Sequence, residues 1–163
     1  MEHTLPPKRA IVLVHGLTDS PYFLSAIAGH FYFNLGYNVY MPLLQGHELN
    51  SPNGMEGVEL EEWKANVWFA VRTAADRVDR VSIGGLSTGG TLSFYMACTK
   101  PQIKGDLYLF SAALDLAGGP TGFIGAMKER HSRNRQQQQR WDLLIRQCMA
   151  ARPRCARIEN LPF

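Results

Sequence analysis

The sequence predicts an α/β fold: a mostly parallel sheet flanked by helices, followed by a helical tail. Three observations lead there. Short apolar runs rich in β-branched residues recur as AIVLVHG, NVYMPLL, RVSIGG and DLYLFSAAL. Amphipathic stretches of helical period separate them. The two alternate strictly, which is the order of linked βαβ units, and right-handed crossovers then put helices on both faces of the sheet. At 163 residues, 45% of them apolar and 19% charged, the chain is long enough for one hydrophobic core and too apolar for a disordered one.

The elements follow in order. AIVLVHG is apolar throughout, as a parallel strand buried on both faces must be. In DSPYFLSAIAGHFYFNLGY, Ser20 is a candidate N-cap and Pro21 suits the first helical position. Leu24, Ile27, Ala28, Phe31 and Leu35 then share a face, and Gly36 can close the helix. NVYMPLL is the second strand, and QGHELNSPNGMEGVE after it reads as a loop. LEEWKANVWFAVRTAADRV is a helix with Leu60, Trp63, Val67, Val71 and Ala74 on one face. RVSIGG, GGTLSFYMACTK and DLYLFSAAL supply the third strand, the third helix and the fourth strand. In such sheets ligands meet the carboxyl ends of the strands, where His15-Gly16, Gly46-His47, Ser87 and Asp115 all fall.

Ser87 is the candidate nucleophile. Gly85-Leu86-Ser87-Thr88-Gly89 lies between a buried strand and an apolar helix, the setting of a nucleophile elbow. The turn is so sharp that strand and helix nearly touch, so glycine is needed two residues to either side of the serine. The helix N-terminus behind it favours developing negative charge. A serine in an ordinary glycine-rich turn is the plain alternative. A second signal is VHGL, where a strand ends in His-Gly and the N–H of Leu17 can be aimed at an oxyanion beside the N–H of Thr88. The side chain of His15 is expected to hydrogen-bond the loop and not to do chemistry. His15, Gly16, His47 and Leu86 are expected to line the pocket.

These motifs, with the surrounding segments IVLVHGLTDSPYFLSAIAGHFYFNLGYNVYMPLLQGHE, LEEWKANVWFAVRTAADRVDRVSIGGLSTGG and LYLFSAALD, resemble the front half of an α/β-hydrolase. They are most similar to the carboxylesterase and monoacylglycerol-lipase-like branch, over about the first 115 residues. Gly46-His47-Glu48 departs from the Gly-His-Gly often seen in that branch. The resemblance implies a hydrolase core over 1–116 and a lid-like helical segment over 117–163. It also implies a chain order of serine, acid, then histidine. The strands and loops that usually carry the acid and the histidine are not apparent before Phe163, so the chain reads as truncated after the lid. Within it, Asp115 at the end of the fourth strand is the candidate acid, with a capping or surface role as the plainer reading. His131 is the only histidine after Ser87 and hence the candidate base, although a solvated lid histidine is the plainer reading there too. A sheet ending at its fourth strand leaves an edge for a homodimer partner or a complementing chain.

Charge and cysteine content narrow the remaining classes. Residues 1–125 hold 8 Lys/Arg against 11 Asp/Glu, a net −3, whereas 126–163 hold 9 against 3, a net +6. Lys128, Arg130, Arg133, Arg135 and Arg140 surround a glutamine run, but no nucleic-acid motif accompanies them, so no nucleic-acid partner is expected. FIGAM beside these charges allows contact between the lid and a lipid surface. Cys98, Cys148 and Cys155 make no disulfide framework, the N-terminus does not read as a signal peptide, and a cytoplasmic location is expected. No cofactor or metal is implied, because no Cys/His cluster has ligand spacing. The expected function is hydrolysis of carboxylic esters through an acyl-enzyme on Ser87, with a small ester or lipid as substrate. The alternative is a non-catalytic fragment or pseudoenzyme that acts by association.

Overall fold

The computed structural model describes residues 1, 9–47 and 58–113. Four parallel strands, β1 (Arg9–Val14), β2 (Asn38–Tyr40), β3 (Arg80–Leu86) and β4 (Leu107–Phe110), form a sheet in the order β2-β1-β3-β4. The two central strands pair over six residues, from Arg9 opposite Arg80 to Val14 opposite Gly85. Alternate residues of β1 enter opposite cores. Ala10, Val12 and Val14 pack with Val67, Val71, Ala74, Leu92 and Met96 from α2 (Leu60–Ala75) and α3 (Thr88–Thr99). Ile11 and Leu13 pack on the other face with Leu24, Ala28 and Phe31. The predicted parallel sheet with helices on both faces is thus observed, and the full burial of β1 from Ala10 onward explains its unbroken apolar run.

Three local differences have physical causes. The first helical stretch is not one regular helix: a 3₁₀ turn (Pro21–Leu24), α1 (Ser25–Gly29) and a π turn (His30–Asn34) run on from one another. Ser20 caps it through its backbone carbonyl, which accepts the Phe23 N–H at 3.1 Å, and not through its hydroxyl. Gly36 closes the stretch as expected, at φ +67°. The second strand stops at Tyr40 instead of continuing to Leu44, because Pro42 has no N–H to give the sheet. The fourth strand stops at Phe110 instead of Leu114, because Ser111 takes φ +46° and turns the chain out of extended geometry. The lid-like segment 117–163, Asp115 and His131 lie outside the described residues.

Candidate active site

Ser87 sits at the junction of β3 and α3 with φ 52° and ψ −118°, a backbone conformation rare for a residue with a side chain. Its surroundings hold it there. The Ser87 N–H donates to the Phe110 carbonyl at 3.0 Å, while its own carbonyl accepts from Gly90, Thr91 and Ala113 at 3.0, 3.2 and 3.2 Å. Thr91 Oγ1 then donates to the Ala113 carbonyl at 2.9 Å, tying α3 to the segment after β4. A Cβ on Gly85 would strike the backbone of Gly89 and Gly90, which is the strand-against-helix collision expected from the sequence. Gly89 has a different neighbour from the one expected: its Cβ would strike the carbonyls of Val14 and His15 at the end of β1. Gly90 is a third close approach, with its Cβ position 2.6 Å from that of Ala112. Ser87 itself is half-buried, at the carboxyl end of β3.

The turn after β1 lies beside it. A Cβ on Gly16 would come within 3.6 Å of the Leu86 carbonyl, and one on Gly89, the residue after Thr88, would strike the His15 carbonyl, so the turn after β1 and the start of α3 are in contact. The N–H of Thr88, first residue of α3, has no acceptor within its own helix. His15 shapes this turn. Its Nε2 accepts the Leu44 N–H at 3.1 Å, which leaves the proton on Nδ1 to be donated to the Gly16 carbonyl at 2.9 Å. In a trans peptide the C=O and N–H point to opposite sides. Anchoring the Gly16 carbonyl on His15 therefore sends the Leu17 N–H away from that ring. The His15 ring is fully buried, and burial pushes its pKa below the ordinary histidine value. The Gly16 carbonyl and, more weakly, Asp19 act against that shift, and His47 adds to it.

His47, half-buried on the loop after β2, meets the Leu17 carbonyl with Nε2 and packs edge-on against His15 with ring centroids 4.7 Å apart. This loop is held from α2. Asn66 Oδ1 accepts the Gln45 N–H, and Trp63 Nε1 donates to the Gln45 carbonyl, both at 2.9 Å. Sequence reasoning placed Trp63 on the core face of its helix and missed this second role, because the partner is a backbone carbonyl 18 residues away. The structure therefore brings together Ser87, Thr88, Leu86, His15, Gly16, Leu17 and His47 at one end of the sheet. Among the described residues, no three His, Cys, Asp or Glu side chains gather as a metal site. No described helix is long and apolar enough to cross a membrane.

No family model matches the chain. Over 115 residues it is 33% identical to the thermostable monoacylglycerol lipase of Bacillus sp. strain H-257, taking in 71% of this chain and 45% of that protein. A solved chain of the metagenome-derived lipolytic enzymes LipS and LipT superposes with a TM-score of 0.64 at 29% identity, over 70% of this chain and 46% of that one. A pyrethroid hydrolase from Sphingobium faniae JZ-2 superposes with a TM-score of 0.53 at 24% identity, over 71% and 45%, a likeness of fold alone. The chain thus spans about half the length of the curated relative it matches.

Proposed function

The chain is related to the α/β-hydrolases, whose fold its described residues share, and from that premise we propose that it hydrolyses carboxylic esters with Ser87 as nucleophile. The observation that carries the proposal is the backbone of Ser87, held at φ 52° on a turn with no room for a side chain at Gly85 or Gly89. Such strain costs about 1–3 kcal/mol and is kept where a side chain must be presented. In the proposed reaction, Ser87 Oγ attacks the ester carbonyl carbon as its proton passes to a base. The tetrahedral oxyanion accepts hydrogen bonds from the N–H groups of Leu17 and Thr88, aided by the N-terminus of α3. Collapse breaks the ester C–O bond, the alcohol leaves with the proton, and water then releases the acid from the acyl-serine.

Asp115 and His131 are this chain's own candidates for the acid and base, and a second polypeptide at the β4 edge is the other source. The substrates proposed are esters of short or medium acyl chains or monoacylglycerols, in keeping with relatives named as lipases. Lid residues beside FIGAM would meet a lipid surface, and the sparse cysteines favour action in the cytoplasm.

The test is hydrolysis of p-nitrophenyl butyrate by the 163-residue chain, beside Ser87→Ala and across protein concentration. Turnover falling at least about a thousandfold in Ser87→Ala is the expected result. Equal rates in both proteins would sink the proposal. A specific activity that rises with concentration would assign the acid and base to an interface, and a constant one would direct attention to Asp115 and His131.

A further inference from the structure

We infer that His47 is a positioning residue for the oxyanion turn: its Nε2–H holds the Leu17 carbonyl and gives the turn that carries the Leu17 N–H its second anchor. The inference rests on the ester-hydrolase reading of Ser87 and adds a residue to it. Among the described residues, the hydrogen-bond partners of the His47 ring are all acceptors. Nε2 meets the Leu17 carbonyl, and Nδ1 lies 3.1 Å from the Leu44 carbonyl and 3.3 Å from that of Gln45. The ring is fixed between two others, His15 at 4.7 Å and Trp63 at 5.5 Å.

What this contact controls follows from peptide geometry. β1 ends at Val14, so the sheet ladder does not hold Leu17. Its N–H belongs to the Gly16–Leu17 peptide and its C=O to the Leu17–Thr18 peptide. His15 anchors the first plane, through the Gly16 carbonyl, which also accepts the Asp19 N–H at 3.4 Å. His47 anchors the second. Two planar peptides meeting at one Cα leave only φ and ψ free, so holding both planes fixes the conformation of Leu17. Release of the second plane frees ψ and leaves the peptide that carries the Leu17 N–H held at the Gly16 carbonyl alone, about which it can tilt. A donor displaced by a fraction of an ångström loses much of its value to a developing oxyanion, while ground-state binding of the ester changes little.

His47→Phe keeps a ring between His15 and Trp63 and removes the Nε2–H donor. His47→Gln restores an N–H near the position of Nε2. With p-nitrophenyl butyrate and the full chain, His47→Phe is expected to lower kcat about tenfold or more with KM within about twofold. His47→Gln is expected to recover the rate to within about threefold of wild type. Wild-type kcat in the Phe variant, equal losses in Phe and Gln, or a change in KM alone would each overturn the inference while leaving Ser87 as nucleophile. A wild-type chain with no Ser87-dependent turnover would overturn the hydrolase reading itself, and the positioning role with it. Should His47→Phe fail to fold, ring ¹⁵N NMR of the wild-type protein decides. A proton on Nε2 in a hydrogen bond supports the contact, and a ring protonated on Nδ1 alone overturns it.

Discussion

At Gly89 a Cβ would run into the carbonyl oxygens of Val14 and His15, whereas at Gly29 the nearest atom is a Phe33 ring carbon at 3.8 Å. The first obstacle is backbone at the buried junction of β1 and α3, and the second is ordinary contact with a side chain that can move. Gly89→Ala should therefore destabilise the chain by about 1–3 kcal/mol, the usual range for overpacking. Gly29→Ala, at helical φ −59° and ψ −43°, should stabilise it by about 0.5–1 kcal/mol through the unfolded state. Urea denaturation of the two variants reads both signs, and a neutral Gly89→Ala would mean that the turn is looser than its geometry. The need for glycine around Ser87 was legible in the sequence because steric exclusion forces a residue type. That Gly89 makes room for β1 was not, since the obstacle lies more than 70 residues earlier in the chain. The contact between His47 and Leu17 was equally hidden: histidine has many uses, and nothing in Gly46-His47 specifies a carbonyl 30 residues away.

Among the elements, α2 was the easiest to read. Sixteen residues of regular period bury Val67, Ala70, Val71 and Ala74, and the helix was expected in the right place, running three residues too far. Strand ends were harder, because pairing decides them. NVYMPLL is apolar to its end, yet a single proline at position 42 ends β2 at Tyr40, although β1 runs on to Val14. The residues released from the sheet, Met41 to His47, become the loop that α2 holds at Gln45. Trp63 thereby joins core packing to loop placement, and the two roles separate by substitution. Trp63→Phe keeps most of the apolar ring and loses the Nε1–H, so it should cost about 0.5–1.5 kcal/mol in urea denaturation. Amide exchange should speed up at His47, whose N–H donates to the Leu44 carbonyl at 3.2 Å inside the loop. Unchanged exchange there would mean that Asn66 alone suffices to hold the loop.

At the scale of the whole molecule, the buried His15 ties folding to pH. Both of its nitrogens are committed in the neutral form, Nε2 as acceptor of the Leu44 N–H and Nδ1 as donor to the Gly16 carbonyl. Protonation would put a second hydrogen on Nε2, against the Leu44 N–H, and a charge into the core. Burial accordingly sets the folded pKa below the ordinary 6.5 that the unfolded chain retains. Above that value both states are neutral at this site and pH has no leverage through it. Below it the unfolded chain binds the proton first, so it holds more protons than the folded one, and stability must fall as pH falls. The fall continues until the folded pKa is reached and then levels off. A single site can contribute at most about 1.4 kcal/mol per pH unit in that window. Urea midpoints at pH 7.5, 6.5 and 5.5 should therefore decline more steeply for wild type than for His15→Gln, which can still accept from Leu44 but does not titrate. His15→Gln should start lower at pH 7.5, where it lacks the donor to Gly16, and the two curves should converge on acidification. Parallel curves would show that His15 is protonated in the folded chain as readily as in the unfolded one, and the neutral anchor of the Gly16–Leu17 peptide would have to be given up.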